Sequence, residues 1–558
     1  MSLPADHLAQ ALTHHQHGNI EQALALYNEI LAAAPNHVEA LHLAAILHAQ
    51  QSHYTEAQRL IIRALQLDAS PTLHNTAGNI YKNLQQLETA IQHYRDSLKL
   101  QPNAAAHNNL ATIYHRLEQF DNARLHYQAA ITLNPQASDA YFNLGLIAQT
   151  RGELTSAHEY FTKTLTLDPT YAAAHYQLAT ISNNARLAIH HCQKTLRNAR
   201  HHILAHHHLG TLLTHQGKLN QALRHFKKIL SLDPHHLDSY HNIGSIFLRQ
   251  KNPRAALKYF LHLVQLAPNF DGYYNLGVIY LDLGSTQDAI TYFNEALKFN
   301  AHSLATYLNL AAIYLKKRDY PQAIHYYQRV QQIDPHHEEA QYLLAALTEK
   351  NADTAPHSYI QRLFDSYAAH FDRHLQLLDY QTPQLLCEEI RQIITEHNLS
   401  IVDLGCGTGL CGEKLHPFAA RLVGIDLSPN MISLAKQKNL YHELHLGDIT
   451  EKILSYRDVD LIVAADTLVY LGDLEPLIKN CHYALKPGGL LAFTVEQTEV
   501  APYLLQKTAR FAHDQKYIEE LAKNHDFSIV TYKQIVARKQ HGENVINGLF
   551  ILRACFKI

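Results

Sequence analysis

Three glycines at alternate positions indicate a loop that lies against a ligand. The stretch Ile401–Gly409 reads IVDLGCGTG and places glycines at 405, 407 and 409 after a short apolar run. A glycine lets the backbone approach a ligand closely, where any Cβ atom would clash. Gly405, Gly407 and Gly409 are therefore candidate ligand-binding residues, together with Asp403, the acid two positions before the first of them.

Two more carboxylates follow at the ends of apolar runs. Asp426 ends the run Leu422–Ile425, and Asp448 follows the segment 441–446. A carboxylate at the end of the second strand of a parallel sheet can accept hydrogen bonds from two ribose hydroxyls. A carboxylate after the third strand can accept from an exocyclic amine. The spacing therefore favours a ligand that contains a nucleoside.

The elements that must position these residues begin after Lys350, where strands and helices alternate. Two helices are predicted at about 358–376 and 383–397. Strands are predicted near 400–404, 421–425, 441–446, 459–464, 489–495, 527–533 and 547–555. Alternation of this kind predicts a parallel sheet with right-handed crossovers and helices on both faces. Ligands in such sheets bind beyond the carboxyl ends of the strands.

Together with the Pro-Gly-Gly turn at 487–489, these motifs resemble class I S-adenosylmethionine-dependent methyltransferases over roughly 356–558. The resemblance implies an α/β Rossmann-like fold that ends in an antiparallel strand pair, and S-adenosylmethionine as cofactor. It also implies roles for the candidate residues. The glycine loop would hold the methionine part, Asp403 would face its amine, Asp426 would bind the ribose and Asp448 the adenine.

An alternative is a nicotinamide enzyme, because Gly407, Gly409 and Gly412 also spell the GxGxxG pattern of dinucleotide-binding loops. In that pattern the ribose-binding acid lies about 20 residues beyond the loop. Asp426 comes too early for this spacing, and Asp403 and Asp448 fit the methyltransferase pattern better. A fold without activity is the other alternative.

Four residues are candidates for handling the methyl acceptor. Asp466 and Tyr470 follow the fourth predicted strand, and Tyr367 and His374 lie on the helix before the sheet. Each has a structural alternative, such as a helix cap or core packing, so no catalytic residue is assigned. The (Asp/Asn)-Pro-Pro-aromatic motif of methyltransferases that modify amino groups of adenine or glutamine is absent, which argues against those acceptors.

The first 350 residues repeat with a period of about 34 residues. One alanine marks the period, at Ala23, Ala57, Ala90, Ala123, Ala157, Ala222, Ala256, Ala289 and Ala323. An aromatic residue usually follows it and a proline ends the unit, a pattern that resembles tetratricopeptide repeats. We therefore predict a superhelix of about ten repeats plus a closing helix over 1–350, a separable linker at 351–356 and a methyltransferase domain over 357–558.

An asparagine recurs at one register of the repeats, at Asn109, Asn143, Asn242, Asn275 and Asn309. In tetratricopeptide proteins this position faces the inner groove. Its amide offers a donor and an acceptor and can pair with a peptide group of any sequence. The resemblance therefore implies a protein or peptide partner in the groove, and the alternative is a polar rim without a ligand.

Composition excludes several classes of protein. With 47 Lys and Arg against 50 Asp and Glu, the formal net charge of −3 argues against nucleic-acid binding. No apolar run is long enough for a membrane span. The six scattered cysteines and the absence of a signal-peptide pattern favour a cytoplasmic protein. The 43 histidines lack fixed ligand spacing, so we expect polar helix surface and no metal site, with metal binding by runs such as 206–208 as the alternative.

The whole arrangement resembles bacterial proteins described as predicted methyltransferases that contain tetratricopeptide repeats. The favoured hypothesis is an enzyme whose repeats recruit a protein substrate or a substrate carried by a protein. A scaffold with a silent methyltransferase fold and a small-molecule methyltransferase that uses the repeats for assembly are the alternatives.

Overall fold

The computed structural model describes residues 3–394, 396–540 and 543–556. The chain forms two compact units, Met1–Ala267 and Pro268–Ile558, which we call the N-terminal and the C-terminal unit.

The described part of the N-terminal unit consists of helices joined by short turns, and each odd-numbered helix packs against the helix that follows it. The helices are α1 Leu3–Gln16, α2 Ile20–Ala33, α3 Val38–Gln50, α4 Tyr54–Leu67, α5 Pro71–Asn83, α6 Leu87–Leu100, α7 Ala104–Arg116, α8 Phe120–Leu133, α9 Ser138–Thr150, α10 Leu154–Leu167, α11 Ala172–Ile181, α12 Ala185–Asn198, α13 Ile203–His215, α14 Leu219–Leu232, α15 Leu237–Arg249 and α16 Pro253–Leu266. The predicted tetratricopeptide solenoid is confirmed.

The periodic small and aromatic residues explain how each pair packs. A Cβ atom on Gly78 would lie 2.5 Å from the ring of Tyr94, and one on Gly145 would lie 2.5 Å from the ring of Phe161. Both aromatic side chains are completely buried. The first helix therefore needs a small residue at the point where the aromatic ring of the second helix crosses it.

In the described part of this unit, some repeats carry a histidine on both helices of the pair. The Nδ1 atoms are 2.9–3.1 Å apart in the pairs His74–His93, His107–His126, His175–His191 and His206–His225. The Nε2 of His206 lies 3.1 Å from the carbonyl oxygen of Arg200, so Nε2 carries the proton. The Nδ1 of His225 must then donate to the bare Nδ1 of His206, and both rings are neutral.

Acid should destabilise these pairs, because a charged imidazolium ring is costly to bury, and because Nδ1–H groups would face each other once both rings of a pair were protonated. Burial, and next the paired histidine, lower the pKa of His126, His191 and His225 to about 4. An exposed histidine has a pKa of about 6.5. Between these values the unfolded chain binds more protons than the folded one, so the free energy of unfolding falls as the pH falls.

We expect the double substitution His206→Tyr and His225→Tyr to reduce this acid sensitivity. The next repeat already has tyrosines at the equivalent positions, Tyr240 and Tyr259. After allowance for partial exposure, the pair should account for about 1–2 kcal/mol of the stability lost between pH 7 and pH 4. Urea unfolding of the parent and the variant at both pH values measures the difference. Equal acid losses would show that the pair does not act as a titrating unit.

The C-terminal unit begins with helices of the same kind and continues with three more before the sheet. The repeat helices are α17 Phe270–Asp282, α18 Thr286–Phe299, α19 Leu304–Lys316, α20 Tyr320–Ile333 and α21 Glu338–Leu347. They are followed by α22 His357–Tyr367, a 3-10 turn Ala368–His370, α23 Phe371–Leu377 and α24 Thr382–Ile393.

The sheet confirms the predicted Rossmann-like fold. Its strands are β1 Leu399–Leu404, β2 Ala419–Asp426, β3 Glu443–Leu446, β4 Val459–Ala464, β5 Leu485–Gln497, β6 Tyr503–Leu505, β7 Phe511–His513, β8 Phe527–Gln540 and β9 Glu543–Ala554. The order β3-β2-β1-β4-β5 is parallel, and β9 joins β5 antiparallel with β8 outside it. The intervening helices are α25 Leu410–Leu415, α26 Pro429–Gln437, α27 Ile449–Lys452, α28 Glu475–Ala484 and α29 Gln515–Asn524, with 3-10 turns His416–Phe418, Ile453–Ser455 and Leu468–Tyr470.

The hairpin β6–β7 was not predicted from the sequence. Glu496 on β5 pairs with Asn547 on β9 and also with Ala512 on β7. β9 pairs with one edge of β5, and β4 pairs with the other edge until β4 ends at Ala464. β7 therefore pairs with β5 on the same edge as β4, beyond the end of that strand. The hairpin therefore extends the sheet past the carboxyl end of β4, where ligands of such sheets bind.

The segment 351–356 is bonded to this hairpin and to the turn after β4. The Asn351 amide donates to the Tyr503 carbonyl oxygen at 2.9 Å, and its oxygen accepts from the Leu505 N–H at 3.0 Å. Ala355 is completely buried, and its N–H donates to the Tyr470 carbonyl oxygen. The compact units divide at Ala267/Pro268, and the domain boundaries at 350 and 357 stay a prediction.

Within the described ranges, no helix combines the length and the apolar character that a membrane-spanning helix requires.

Candidate active site

One cavity of about 720 Å³ opens at the carboxyl ends of the parallel strands. Most of the predicted site residues line it, which brings the predicted cofactor and acceptor residues together. They are Asp403, Gly405, Gly407, Asp426, Asp448, Tyr367, His374, Asp466 and Tyr470. Gly409 does not line the cavity but precedes α25, where its φ of +92° turns the chain into the helix.

The glycine loop is shaped by close approach of the backbone to its surroundings. Gly405 has φ +69°, and a Cβ atom there would lie 2.3 Å from the Thr467 hydroxyl oxygen. Gly407 has φ +54°, and its N–H donates to the Asp426 carboxylate at 2.8 Å. The loop therefore has little freedom to move, and it is tied to the end of β2.

Asp426 is held by backbone groups on both sides. One carboxylate oxygen accepts from Gly407, and the other accepts from the Ser428 N–H at 2.8 Å. Burial raises the pKa of Asp426, and these N–H donors oppose that rise. Each oxygen keeps a second acceptor site, so the carboxylate can still receive two hydroxyl donors from a ligand.

Asp403 lies beneath the loop at the end of β1 and is 1% exposed. Its carboxylate accepts from the Tyr441 hydroxyl at 2.6 Å, and burial raises the pKa of Asp403 to about 7. A cation in the cavity would find a buried acid here that can neutralise it.

The two carboxylate oxygens of Asp448 contact different partners. One carboxylate oxygen caps α27 by accepting from the N–H groups of Thr450 and Glu451 at 2.8 and 3.0 Å. The other lies 3.2 Å from the Nε2 of His357, which also lines the cavity. His357, the first residue of α22, was not predicted as a site residue from the sequence.

The helices α22 and α23 cover the glycine loop and are tethered to it. Asp365 accepts from the Ser428 hydroxyl at 2.5 Å, and Asp372 accepts from Thr408 and forms an ion pair with Lys438 at 3.1 Å. These bonds fix a cover over the predicted cofactor residues.

The candidates Tyr367 and His374 lie on this cover. Tyr367 is 48% exposed, and its ring centroid is 6.1 Å from that of His374. No pairing of either side chain with a predicted acceptor residue is seen in the described parts of the chain, so a catalytic role for them stays a prediction.

Asp466 is part of a charged network rather than a helix cap. Its carboxylate accepts from the Asn547 amide at 2.6 Å and from Arg538 at 3.2 Å. Arg538 also donates to Glu496 at 3.1 Å. Asp466 has φ +52°, a left-handed conformation that is uncommon for a non-glycine residue.

Tyr470 lies at the same end of the cavity, between the cover and a second arginine. Its ring contacts Phe364 edge-on at 5.5 Å between centroids, and the Arg510 guanidinium lies 5.8 Å from the ring centroid. Burial raises the pKa of Tyr470. The network of Glu496, Arg510, Arg538 and Asn547 was not predicted from the sequence.

The predicted partner-binding asparagines make contacts within their own units. In the N-terminal unit the Asn109 amide donates to Asn75, and the Asn242 amide donates to the Asp238 carbonyl oxygen. Asn143 is half-buried. In the C-terminal unit the Asn275 amide donates to the Asp271 carbonyl oxygen, and the Asn309 amide donates to the Tyr274 hydroxyl. The amides are therefore partly used inside the fold, and their role in binding a partner stays a prediction.

The family comparisons agree with both parts of the chain. Residues 402–493 match the family model of a methyltransferase domain. Tetratricopeptide-repeat models match 14–80, 78–118, 104–136, 138–171, 201–269, 241–303 and 280–347. The chain carries tetratricopeptide repeats and a methyltransferase domain.

Similar curated proteins are O-methyltransferases by name. The ubiquinone biosynthesis O-methyltransferase of Coxiella burnetii is 32% identical over 119 residues, which cover 21% of this chain and 51% of that protein. The malonyl-[acyl-carrier protein] O-methyltransferase of Priestia megaterium is 32% identical over 140 residues, which cover 24% and 50%. The chain thus spans about half the length of these curated relatives.

Solved structures of both kinds are similar to parts of the chain. MamA is 23% identical over 29% of this chain and 96% of its own, with a TM-score of 0.27. The magnesium protoporphyrin IX methyltransferase of Synechocystis PCC 6803 with bound SAM is 15% identical over 37% of this chain and 100% of its own, with a TM-score of 0.29.

Proposed function

We propose that the protein is an S-adenosylmethionine-dependent O-methyltransferase whose repeats recruit a protein substrate or a substrate carried by a protein. The observation that carries the cofactor assignment is the bond between the Gly407 N–H and Asp426, which joins the glycine loop to a carboxylate with free acceptor sites inside the cavity.

The residues present fit this cofactor. Asp426 would receive the two ribose hydroxyls, Gly405 and Gly407 would let the methionine part pass, and Asp403 would neutralise the amine. Asp448 would face the adenine with the carboxylate oxygen that now pairs with His357. When bound, the cofactor supplies an electrophilic methyl group on a sulfonium.

The chain's contribution to the reaction is chiefly positional. Methyl transfer is an in-line displacement, so alignment of the acceptor with the methyl group provides much of the acceleration. Asp466 and Glu496 are paired with Arg538, and the pKa of Tyr470 is raised by burial. These groups orient an acceptor more readily than they remove a proton from it. The names of the curated relatives support oxygen as the atom methylated.

The repeats support the recruitment of a protein, because tetratricopeptide arrays present extended binding surfaces. Incubating the protein and a cell lysate with methyl-labelled S-adenosylmethionine tests this part of the proposal. Label in protein or in a protein-bound group supports recruitment. Label confined to free small molecules favours the small-molecule alternative, and no transfer by a protein that binds the cofactor favours the silent scaffold.

Cofactor affinity should rise with pH, because Asp403 must be ionised to hold an ammonium group. Burial raises the pKa of Asp403 to about 7, so the free protein binds a proton there that the complex releases. The affinity should increase by up to about tenfold per pH unit below pH 7 and level off above it. Calorimetry between about pH 6 and 8 measures the slope. In the Asp403→Asn variant the slope should vanish, and a parent without any slope would contradict the role given to Asp403.

A further inference from the structure

We propose that the methyl acceptor is a carboxylic acid with an apolar body, and that Arg510 binds its carboxylate. This inference rests on the proposed function and specifies its substrate class.

Arg510 lies at the acceptor end of the cavity and has guanidinium N–H donors that no described residue uses. Its side chain is 19% exposed and lines the cavity. Its Nε lies 3.0 Å from Glu496 but is not aligned for a hydrogen bond, and a terminal nitrogen is 4.0 Å from Asp466. Within residues 3–394, 396–540 and 543–556, no hydrogen bond uses a terminal nitrogen of Arg510.

Both neighbouring carboxylates are within ion-pair distance of Arg510, but the aligned hydrogen bonds that they accept come from other residues. Arg538 donates to both Asp466 and Glu496, and Asn547 also donates to Asp466. One arginine thus holds two carboxylates, and the second arginine brings the group of four to neutrality. An arriving carboxylate would give Arg510 the aligned partner that it lacks, in a bidentate geometry that suits a guanidinium.

Much of the cavity wall is apolar. Leu363, Phe364, Leu375, Leu378, Val545 and Ile546 line the cavity, beside polar residues such as Tyr380, Gln497 and Thr508. Such walls favour a hydrocarbon or aromatic body on the acceptor. The combination of a guanidinium with unused donors and apolar walls indicates an amphipathic acid.

A carboxylate also suits this site because it has no proton to lose, and the acids Asp466 and Glu496 are paired with Arg538 and are not free to act as a base. One carboxylate oxygen of the acceptor forms the new bond to the methyl carbon while the carbon–sulfur bond breaks and its electron pair stays on sulfur. The sulfonium becomes a thioether, the acid becomes a neutral methyl ester, and no proton is transferred. Because the ester has lost its charge, it binds Arg510 more weakly than the acid does, which helps its release.

Three probes of equal chain length separate the possibilities. The full chain, loaded with S-adenosylhomocysteine, is titrated calorimetrically with octanoate, octanamide and octylammonium. Octanoate should bind at least about tenfold more tightly than octanamide, because a charge-assisted hydrogen bond replaces a neutral one. Equal or tighter binding of octanamide or octylammonium, or binding of none of the three, would overturn the proposal.

Variants assign the preference to one residue. Arg510→Gln should remove the preference for octanoate. Arg510→Lys should retain part of it, because the positive charge stays while the paired N–H donors of the guanidinium are lost. Arg421→Gln is the matched control, since Arg421 is 48% exposed and pairs with Glu443 outside the cavity. A preference that survives in Arg510→Gln would overturn the assignment. If Arg510→Gln does not fold, the octanoate preference of Arg510→Lys is compared with that of the parent, and an unchanged preference would overturn the assignment to Arg510.

A second readout distinguishes failure of this inference from failure of the proposed function. Methyl esters are cleaved by alkali to release labelled methanol, whereas methyl ethers and methylamines are stable. Lysate label transferred by the protein should be alkali-labile. Stable label would refute the acid acceptor and leave the methyltransferase assignment standing, whereas no binding of S-adenosylhomocysteine by the parent would refute the proposed function itself.

Discussion

Replacing Gly405 with alanine should abolish measurable cofactor binding. The new Cβ atom would lie 2.3 and 2.4 Å from the hydroxyl oxygen and methyl carbon of Thr467 and 2.9 Å from its Cβ. The φ of +69° adds strain to the collision. Because Thr467 also bonds to the Leu404 carbonyl oxygen, the loop must move rather than the threonine. Such a movement would pull the Gly407 N–H away from Asp426.

The expected loss of affinity is about 100-fold or more, since overpacking alone costs about 1–3 kcal/mol and the loop contacts are lost as well. Calorimetric titration with S-adenosylmethionine measures it. Gly488→Ala is the matched control, because Gly488 has a similar φ of +79° and a Cβ atom added there would meet no other described atom within 4 Å. If Gly405→Ala bound the cofactor nearly as well as Gly488→Ala, the glycine loop would not be the binding element.

A fragment of residues 357–558 should be much less stable than a fragment of residues 268–558. The last repeat helix shares a core with the β6–β7 hairpin: Tyr342 lies 6.2 Å from Phe511 between ring centroids and donates to the Ala509 carbonyl oxygen at 2.9 Å. Asn351 completes the edge of β6. Removing these elements exposes several large apolar side chains, a loss on the order of 5 kcal/mol.

Thermal unfolding and cofactor titration of both fragments measure this dependence. The longer fragment should bind S-adenosylmethionine like the full chain, and the shorter one should be insoluble or bind weakly. Tyr342→Phe in the longer fragment isolates the hydrogen bond, with an expected loss of about 1 kcal/mol. A stable, cofactor-binding 357–558 fragment would show that the sequence-predicted linker does separate the domains.

The features that the sequence predicted are those fixed by local spacing. The repeat register follows from the contact between Gly78 and Tyr94, which recurs with the period and needs no distant residue. The glycine loop and Asp426 could be placed because each directly follows a predicted strand, and strand ends of a parallel sheet meet at one edge.

The features that the sequence did not predict depend on distant residues that meet only in the fold. Asp466 was a candidate, but its partners Glu496, Arg510 and Arg538 come from three other segments. The short strand β7, which begins directly after Arg510, has no long apolar run to mark it. The histidine pairs are another case. Their spacing follows the two helices of one repeat, whereas the sequence interpretation considered adjacent histidines.

Titration of the full chain with S-adenosylmethionine and, separately, with NAD tests the cofactor assignment most directly. We predict saturable binding of S-adenosylmethionine with one site per chain and no binding of NAD. Binding of NAD in place of S-adenosylmethionine, or of neither ligand by the folded protein, would contradict it.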